Sequence, residues 1–197
     1  MSKADPIRDL GDVKAIYNRL IKYNYHREAE LFLIGCNAAL RINDLLKLKF
    51  EDIQRITDSH TGKEIGKVQL QETKTRKAKE LTLNSVALQA VDKLKAANPE
   101  HVYLFQRTSR NASNDAPVSR VYVFKKLKEV AESLSLNYTL STHSMRKTFG
   151  YHAYKQGTDI NVLQRLFNHS SVRETFEYIG ITSDSVKEVY LNVEITI

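Results

Sequence analysis

The chain has little of the material from which disulfide-rich, membrane or low-complexity proteins are made. Among its 197 residues it has one cysteine, three prolines, seven glycines and no tryptophan. A single cysteine excludes an internal disulfide and suits a reducing compartment. No apolar run approaches the roughly 20 residues of a membrane span, and residues 1–8 lack the apolar core of a signal peptide. We therefore expect a soluble, cytoplasmic, globular protein.

Positive charge is in excess. Lysine and arginine number 30 against 23 acidic residues, which gives a net charge of +7 and a pI near 9.4. Such a surface suits a polyanionic partner, although many basic proteins bind no nucleic acid. The length is sufficient for one domain with a substantial core.

The first third of the chain has helical periodicity. Apolar residues recur at i, i+3, i+4, i+7 and i+8 from Val13, which predicts an amphipathic helix over Asp12–Tyr23. From about His26 to Leu40 the pattern is apolar almost all round, which indicates a central helix. Asn43 is a candidate cap for a short helix that runs to about Leu48.

The middle of the chain changes to a period of two. Val68 and Leu70 alternate with polar neighbours, as do Leu81 and Leu83, and a basic stretch over residues 72–77 separates the two pairs. This pattern predicts two antiparallel strands joined by a basic turn. Residues 53–56 are a candidate third strand, Asn84 or Ser85 a candidate cap for a helix to about Ala97, and residues 102–105 a short strand or a loop on the core.

Capping residues divide the second half into helices. Ser119, Thr142 and Asp159 can each begin a helix, and Ser171 has capping-box spacing to Glu174. Gly157 and Asn168 are candidate helix ends. The fold class we expect is α+β, mainly α-helical with a small antiparallel sheet. Residues 188–197 alternate like a strand and are unusually apolar.

Residues suited to phosphoryl transfer occur at distinctive spacings. Arg41 is followed far downstream by His143-x-x-Arg146, then by His169, and nine residues later by Tyr178. Arginine is always charged and forks onto two phosphate oxygens, and residues three apart share a helix face. This order resembles the signature of the tyrosine recombinases, the phage-integrase family. The resemblance covers the chain from roughly Asp9 to Tyr178.

The resemblance implies a role for each residue. Tyr178 is the expected nucleophile, and the product is a 3′-phosphotyrosyl bond with a free 5′-hydroxyl, formed without metal, ATP or cofactor. A tyrosine hydroxyl is protonated near neutral pH, so it needs a proton acceptor, for which His143 and the phosphate oxygens are candidates. The remaining expected site residues are Arg41 and Arg146 as the phosphate clamp, His169 on the phosphate or the tyrosine hydroxyl, Lys74 as general acid with Lys77 and Lys79 as rivals, and Asp44 as a buttress for Arg41.

The sequence also suggests a domain plan, and the resemblance implies partners. We expect residues 1–187 to form a single catalytic domain and the apolar, alternating residues 188–197 to pack in trans onto a neighbour. Because Arg41 comes so early, we expect no N-terminal core-binding domain of the kind that family members commonly carry. The expected partner is duplex DNA at the nucleoid, bound by a homo-oligomer that is a tetramer in synapsis and a monomer when free, with an accessory DNA-bending protein as a further candidate. Candidate DNA-backbone contacts, which a solvated face explains equally well, are Arg76, Lys77, Arg120, Lys147 and Arg173.

Two other functions remain open at this stage. The chain could be a non-catalytic DNA-binding or regulatory module of the same fold, or it could relax DNA like a type IB topoisomerase. It departs from the family in carrying Asn168 where members usually have glycine, and asparagine is the non-glycine residue that best tolerates a left-handed backbone. Metal-dependent nuclease chemistry is disfavoured because no acidic set has supporting motif context, and a single cysteine disfavours a closed zinc site.

Overall fold

The fold is mostly helical with one small sheet, as the sequence predicts. The structure is a computed structural model that describes residues 4–71, 78–108 and 115–181. None of the helices in these ranges is long and apolar enough to cross a membrane. In chain order the elements are α1 (Leu10–Lys22), α2 (His26–Ala38), α3 (Ile42–Leu45), β1 (Ile53–Thr57), β2 (Glu64–Gln71), β3 (Ala78–Leu83), α4 (Ser85–Ala97), α5 (Arg120–Ser133), α6 (Thr142–Lys155), α7 (Ile160–Phe167) and α8 (Val172–Ile179).

The sheet is antiparallel with β2 in the centre. Val68 on β2 pairs with Ile53 on β1 and with Leu81 on β3. The predicted pair of strands is confirmed, and the candidate residues 53–56 lie in the third strand, β1 (Ile53–Thr57). The basic stretch 72–77, the apolar tail 188–197 and the functional predictions made for them lie outside the described residues. Residues 102–105 form a loop in which Leu104 and Phe105 are buried.

Helix α2 lies at the centre of the core, as its apolar sequence predicts. It packs against α1, α4 and α6. It ends at Ala38, two residues earlier than expected, because Ala39 adopts a left-handed conformation with φ 52°. This turn leaves carbonyl groups at the end of α2 without a partner inside the helix. One of them, the carbonyl of Ala39, accepts a hydrogen bond from Arg146 in the candidate site.

Most of the predicted caps are confirmed, and two are wrong. Of the predicted caps, Asn84, Ser119 and Ser171 each accept a backbone N–H bond at the start of a helix. Asp159, at the predicted start of α7, does the same. Thr142 does not cap α6: the preceding residue, Ser141, forms a reciprocal capping box with Ser144, so Thr142 is the first helical residue. Asn43 does not cap α3 either, and the helix does not reach Leu48. The carbonyl of Arg41 accepts from the N–H groups of Asp44 and Leu45, so the helix starts before Asn43 and ends at Leu45.

The segment before α1 is fixed to α6. The backbone N–H of Ile7 donates to Oγ1 of Thr148 at 2.9 Å, and Nε2 of His152 lies 2.9 Å from the Ile7 carbonyl oxygen. Ile7 is fully buried. The N-terminal segment is therefore held on the helix that carries His143 and Arg146.

Candidate active site

Arg146 is the most deeply placed charged group of the site. Only 2% of its surface is exposed. Its Nη1 donates to the carbonyl oxygen of Ala39, and its Nη2 donates to that of Phe167 at 3.1 Å. These carbonyls belong to the C-terminal ends of α2 and α7, where helix carbonyls lack internal partners and the helix dipole favours a cation. Two helix ends thus hold the buried guanidinium.

Arg41 meets Arg146 at the same carbonyl group. Arg41 is the N-cap of α3, and its Nη2 lies 3.5 Å from the Phe167 oxygen. Both guanidinium groups therefore point toward one oxygen atom, and the structure brings the two predicted clamp residues together. Asp44 lies one turn after Arg41 and is 4% exposed. Its role as a buttress stays a prediction.

Asn168 shapes the turn that carries the Phe167 carbonyl. It ends α7 with φ 54° and ψ 50°, which is left-handed backbone. The N–H of Asn168 donates to the Arg165 carbonyl, and the N–H of His169 donates to the Gln164 carbonyl. Asparagine accommodates this conformation better than other residues with a side chain. The asparagine therefore fits the position where family members usually have glycine, and the turn leads directly into His169.

Tyr178 projects from α8 into this group of residues. Its ring lies 5.4 Å from that of Phe167 and 4.8 Å from that of His169, the latter nearly perpendicular. Burial raises the pKa of the Tyr178 hydroxyl, while the charge of Arg146, a hydrogen bond from Arg146 and the charge of Arg41 act to lower this pKa. The hydroxyl therefore carries its proton at neutral pH, and attack on a phosphate requires a proton acceptor.

His143 is suited to accept a proton. It lies in the first turn of α6, three residues before Arg146. Partial burial lowers the pKa of its imidazole, and the positive charges of Arg120, Lys147, Arg146 and Arg41 lower this pKa further. The ring is therefore neutral near pH 7, the state in which a nitrogen lone pair can take a proton.

His169 is held by a residue that the sequence analysis missed. Its Nδ1 lies 3.1 Å from Oγ1 of Thr175 on α8. A signal for Thr175 existed in the spacing, because Ser171, Thr175 and Tyr178 stand at i, i+4 and i+7 and so share one helix face. No sequence motif indicated a contact with His169.

The predicted DNA-backbone contacts separate into different surroundings. Lys147 is buried, with 5% exposed, and its Nζ lies 5.0 Å from the centre of the Tyr178 ring. Arg120 is exposed at the start of α5. Arg173 is exposed on α8, where its Nε lies 3.1 Å from Oε1 of Glu177. Lys74, Arg76 and Lys77 lie outside the described residues, so the general acid stays a prediction.

A family model and two relatives with similar sequences all point to integrases and tyrosine recombinases. The family model described as phage integrase family matches residues 9–184. A probable integrase/recombinase of Bacillus subtilis, YoeC, is 34% identical over 190 residues, which cover 96% of this chain and 97% of YoeC. The tyrosine recombinase XerD of Staphylococcus saprophyticus is 20% identical over 195 residues, which cover 95% of this chain and 62% of XerD.

The fold agrees with these relatives. A crystal structure of the site-specific recombinase XerH, bound to its palindromic difH substrate after cleavage, superposes with a TM-score of 0.73 at 14% identity. The match covers 94% of this chain and 51% of XerH, so the chain spans about half the length of that recombinase. These names and this fold favour a recombinase over the topoisomerase-like and non-catalytic alternatives.

Proposed function

The chain belongs to the phage integrase family, and we propose that it is a site-specific recombinase that cuts and rejoins duplex DNA through Tyr178. The observation that carries the proposal is the convergence at Phe167. Arg41 and Arg146 both point at its carbonyl oxygen, and the charges of both arginines act on the hydroxyl of Tyr178. A nucleophile thus lies beside two fixed positive charges, which is the arrangement that phosphoryl transfer requires.

The proposed reaction uses the residues of the site in order. Tyr178 Oη attacks the phosphorus while Arg41 and Arg146 hold the non-bridging oxygens, and neutral His143 takes the phenol proton. The bond from phosphorus to the 5′-oxygen breaks, and an acid, with Lys74 as the candidate, protonates that oxygen. The 3′-phosphotyrosyl product keeps the energy of the phosphodiester, so a 5′-hydroxyl can reverse the step and rejoin the strand without ATP.

The described conformation must open before it cuts. Arg146 is almost fully buried and already engages the Ala39 and Phe167 carbonyls. A scissile phosphate has to enter this network, so the guanidinium has to exchange a contact with a carbonyl for one with a phosphate oxygen. DNA binding therefore completes the arrangement of the catalytic side chains. Strand exchange needs two duplexes, which supports a homo-oligomer on DNA, with a tetramer in synapsis and an accessory DNA-bending protein as a candidate partner.

A trapped covalent adduct tests the proposal. The protein is incubated with a pool of nicked duplexes that have a randomised central sequence, so that the short cleaved fragment diffuses away and rejoining is blocked. Denaturant-resistant protein–DNA adducts are recovered and sequenced. We expect adducts from the wild type in the presence of a chelator, none from Tyr178→Phe, and the wild-type amount from Tyr154→Phe, a tyrosine of α6 that packs on Phe176 instead.

The outcomes separate the alternative functions. Tight DNA binding with no adduct from any duplex in the pool favours a regulatory module and contradicts the proposal. Relaxation of supercoiled plasmid without sequence preference and without strand exchange favours a topoisomerase-like activity. Adducts that survive in Tyr178→Phe would assign the nucleophile to another residue.

A further inference from the structure

We propose that Thr175 is a positioning residue for His169, which fixes the position of the proton on the imidazole ring. The proposal rests on the proposed function for its catalytic meaning, but its structural part concerns the DNA-free protein. Thr175 is fully buried on α8, one turn before Tyr178. Its Oγ1 lies 3.2 Å from the carbonyl oxygen of Ser171 and 3.1 Å from Nδ1 of His169.

The hydroxyl of Thr175 has one hydrogen to donate. In the arrangement that we propose, this hydrogen goes to the Ser171 carbonyl, the bond to residue i−4 that threonine often makes inside helices. The hydroxyl oxygen is then an acceptor toward His169. Two lone pairs would face each other at 3.1 Å unless Nδ1 of His169 carries a proton. The geometry therefore assigns a proton to Nδ1 in the neutral ring.

This assignment decides what the other ring nitrogen can do. In the neutral ring Nε2 has a lone pair and is an acceptor, and it becomes a donor only when the ring is an imidazolium. A contact from His169 to a phosphate oxygen therefore requires the protonated ring. The Thr175 bond also fixes the ring plane, which stands nearly perpendicular to Tyr178 at 4.8 Å between centres.

Nitrogen NMR on the DNA-free protein tests the assignment. The protein is labelled with ¹⁵N and examined at alkaline pH, where the rings are neutral, and the His169 signals are identified by their loss in His169→Gln. We expect Nδ1 of His169 to be the protonated nitrogen in the wild type and in Thr175→Ser, which keeps the hydroxyl. In Thr175→Val, which has a similar shape but no acceptor, the proton population should move toward Nε2. A wild-type ring protonated at Nε2, or a Thr175→Val spectrum identical to the wild type, would overturn the proposal.

The catalytic consequence is measured separately with the nicked duplexes. We expect Thr175→Val to form the adduct about tenfold more slowly, the effect of one misplaced hydrogen bond, and Thr175→Ser to stay within about twofold of the wild type. The other histidine signals should be unchanged in both variants, which shows that the fold is retained. Adduct formation by Thr175→Val at the wild-type rate, with its proton moved to Nε2, would overturn the positioning role. Absence of adduct in every variant counts against the proposed function and leaves the NMR result standing.

Discussion

At the scale of single residues, His143 shows how the site uses its positive charge. Partial burial lowers the pKa of its imidazole, and the charges of four cations lower this pKa further. The arginines that we propose to bind a phosphate thus also help to keep the proposed base neutral. The proposed proton acceptor and the proposed phosphate clamp depend on the same positive charges. Removal of one of these charges should therefore also change the pKa of His143.

The titration of His143 tests this coupling. We expect its NMR midpoint to lie below the ordinary value of 6.5. The midpoint should move upward in Arg120→Gln, because the charge of Arg120 lowers this pKa more than the charges of the other three cations do. As the pH falls through this lowered pKa, His143 becomes charged and adduct formation should slow. Arg173→Gln is the matched control, since that arginine pairs with Glu177 on α8 and does not contribute to the shift. An unchanged midpoint in Arg120→Gln would contradict this account.

The sequence predicts the identities of the site residues better than their surroundings. The resemblance of their order and spacing to the family signature singles out Arg41, His143, Arg146, His169 and Tyr178, and the structure brings all five together. It does not predict that Arg146 is buried between two helix ends, because the carbonyl groups that hold it come from residues 107 and 21 positions away.

Lys147 illustrates the same limit. Beside Arg146 in the sequence it is a candidate for a DNA-backbone contact. The structure places it in the interior, against the face of the Tyr178 ring. Burial depends on how α6 packs on α8, which no local pattern near Lys147 encodes.

At the scale of helices, α6 lies close to α7 and α8. This packing sets the distance of Tyr178 on α8 from His143 and Arg146 on α6. Gly150 on α6 makes this approach possible. A Cβ atom there would lie 2.6 Å from Cζ of Phe167 and 2.7 Å from Cγ2 of Ile179. The Phe167 ring is also the surface on which the Arg146 guanidinium rests, at 4.6 Å. The glycine therefore links helix packing to the site.

Gly150→Ala should reverse the usual effect of this substitution. In an open helix interior, alanine stabilises by about 1 kcal/mol over glycine. Here overpacking costs about 1–3 kcal/mol, so we expect that gain to be cancelled and the free energy of unfolding in urea to fall by up to about 2 kcal/mol. In a Phe167→Leu background the two closest ring atoms are gone, and Gly150→Ala should cost less than in the wild type. A stabilised Gly150→Ala single variant would show that α6 has room to move.

Two helix ends in the second half of the chain are predicted well by local sequence. Asn168 and Gly157 end their helices where the sequence places them, both with positive φ. These ends are predictable because glycine and asparagine are the residues that adopt a left-handed backbone most readily. The prediction of a cap at Thr142 is wrong by one residue, since Ser141 offers the same chemistry one position earlier. Competing caps of equal quality are not resolved by sequence alone.

At the scale of the whole molecule, contacts from the N-terminal segment support the C-terminal helices, and the net charge favours binding to DNA. The N-terminal segment is pinned to α6 through Ile7, and Nη2 of Arg8 donates to the Gly180 carbonyl at 2.9 Å. The ends of the described chain thus brace the helices that carry the site. Meanwhile the net charge of +7 provides long-range attraction to DNA, and this attraction should depend on which cations face outward.

The salt dependence of DNA binding tests which cations make contact. Each phosphate contact contributes about 0.9 to the slope of log affinity against log salt concentration. We expect Arg120→Gln, which removes an exposed cation close to His143, to reduce this slope by about 1 on any duplex sequence. Arg173→Gln should reduce it less, because Glu177 already neutralises that guanidinium. Fluorescence anisotropy over a range of salt concentrations measures both slopes, and an equal effect of the two substitutions would mean that DNA displaces the Arg173–Glu177 pair and binds the α8 surface as well.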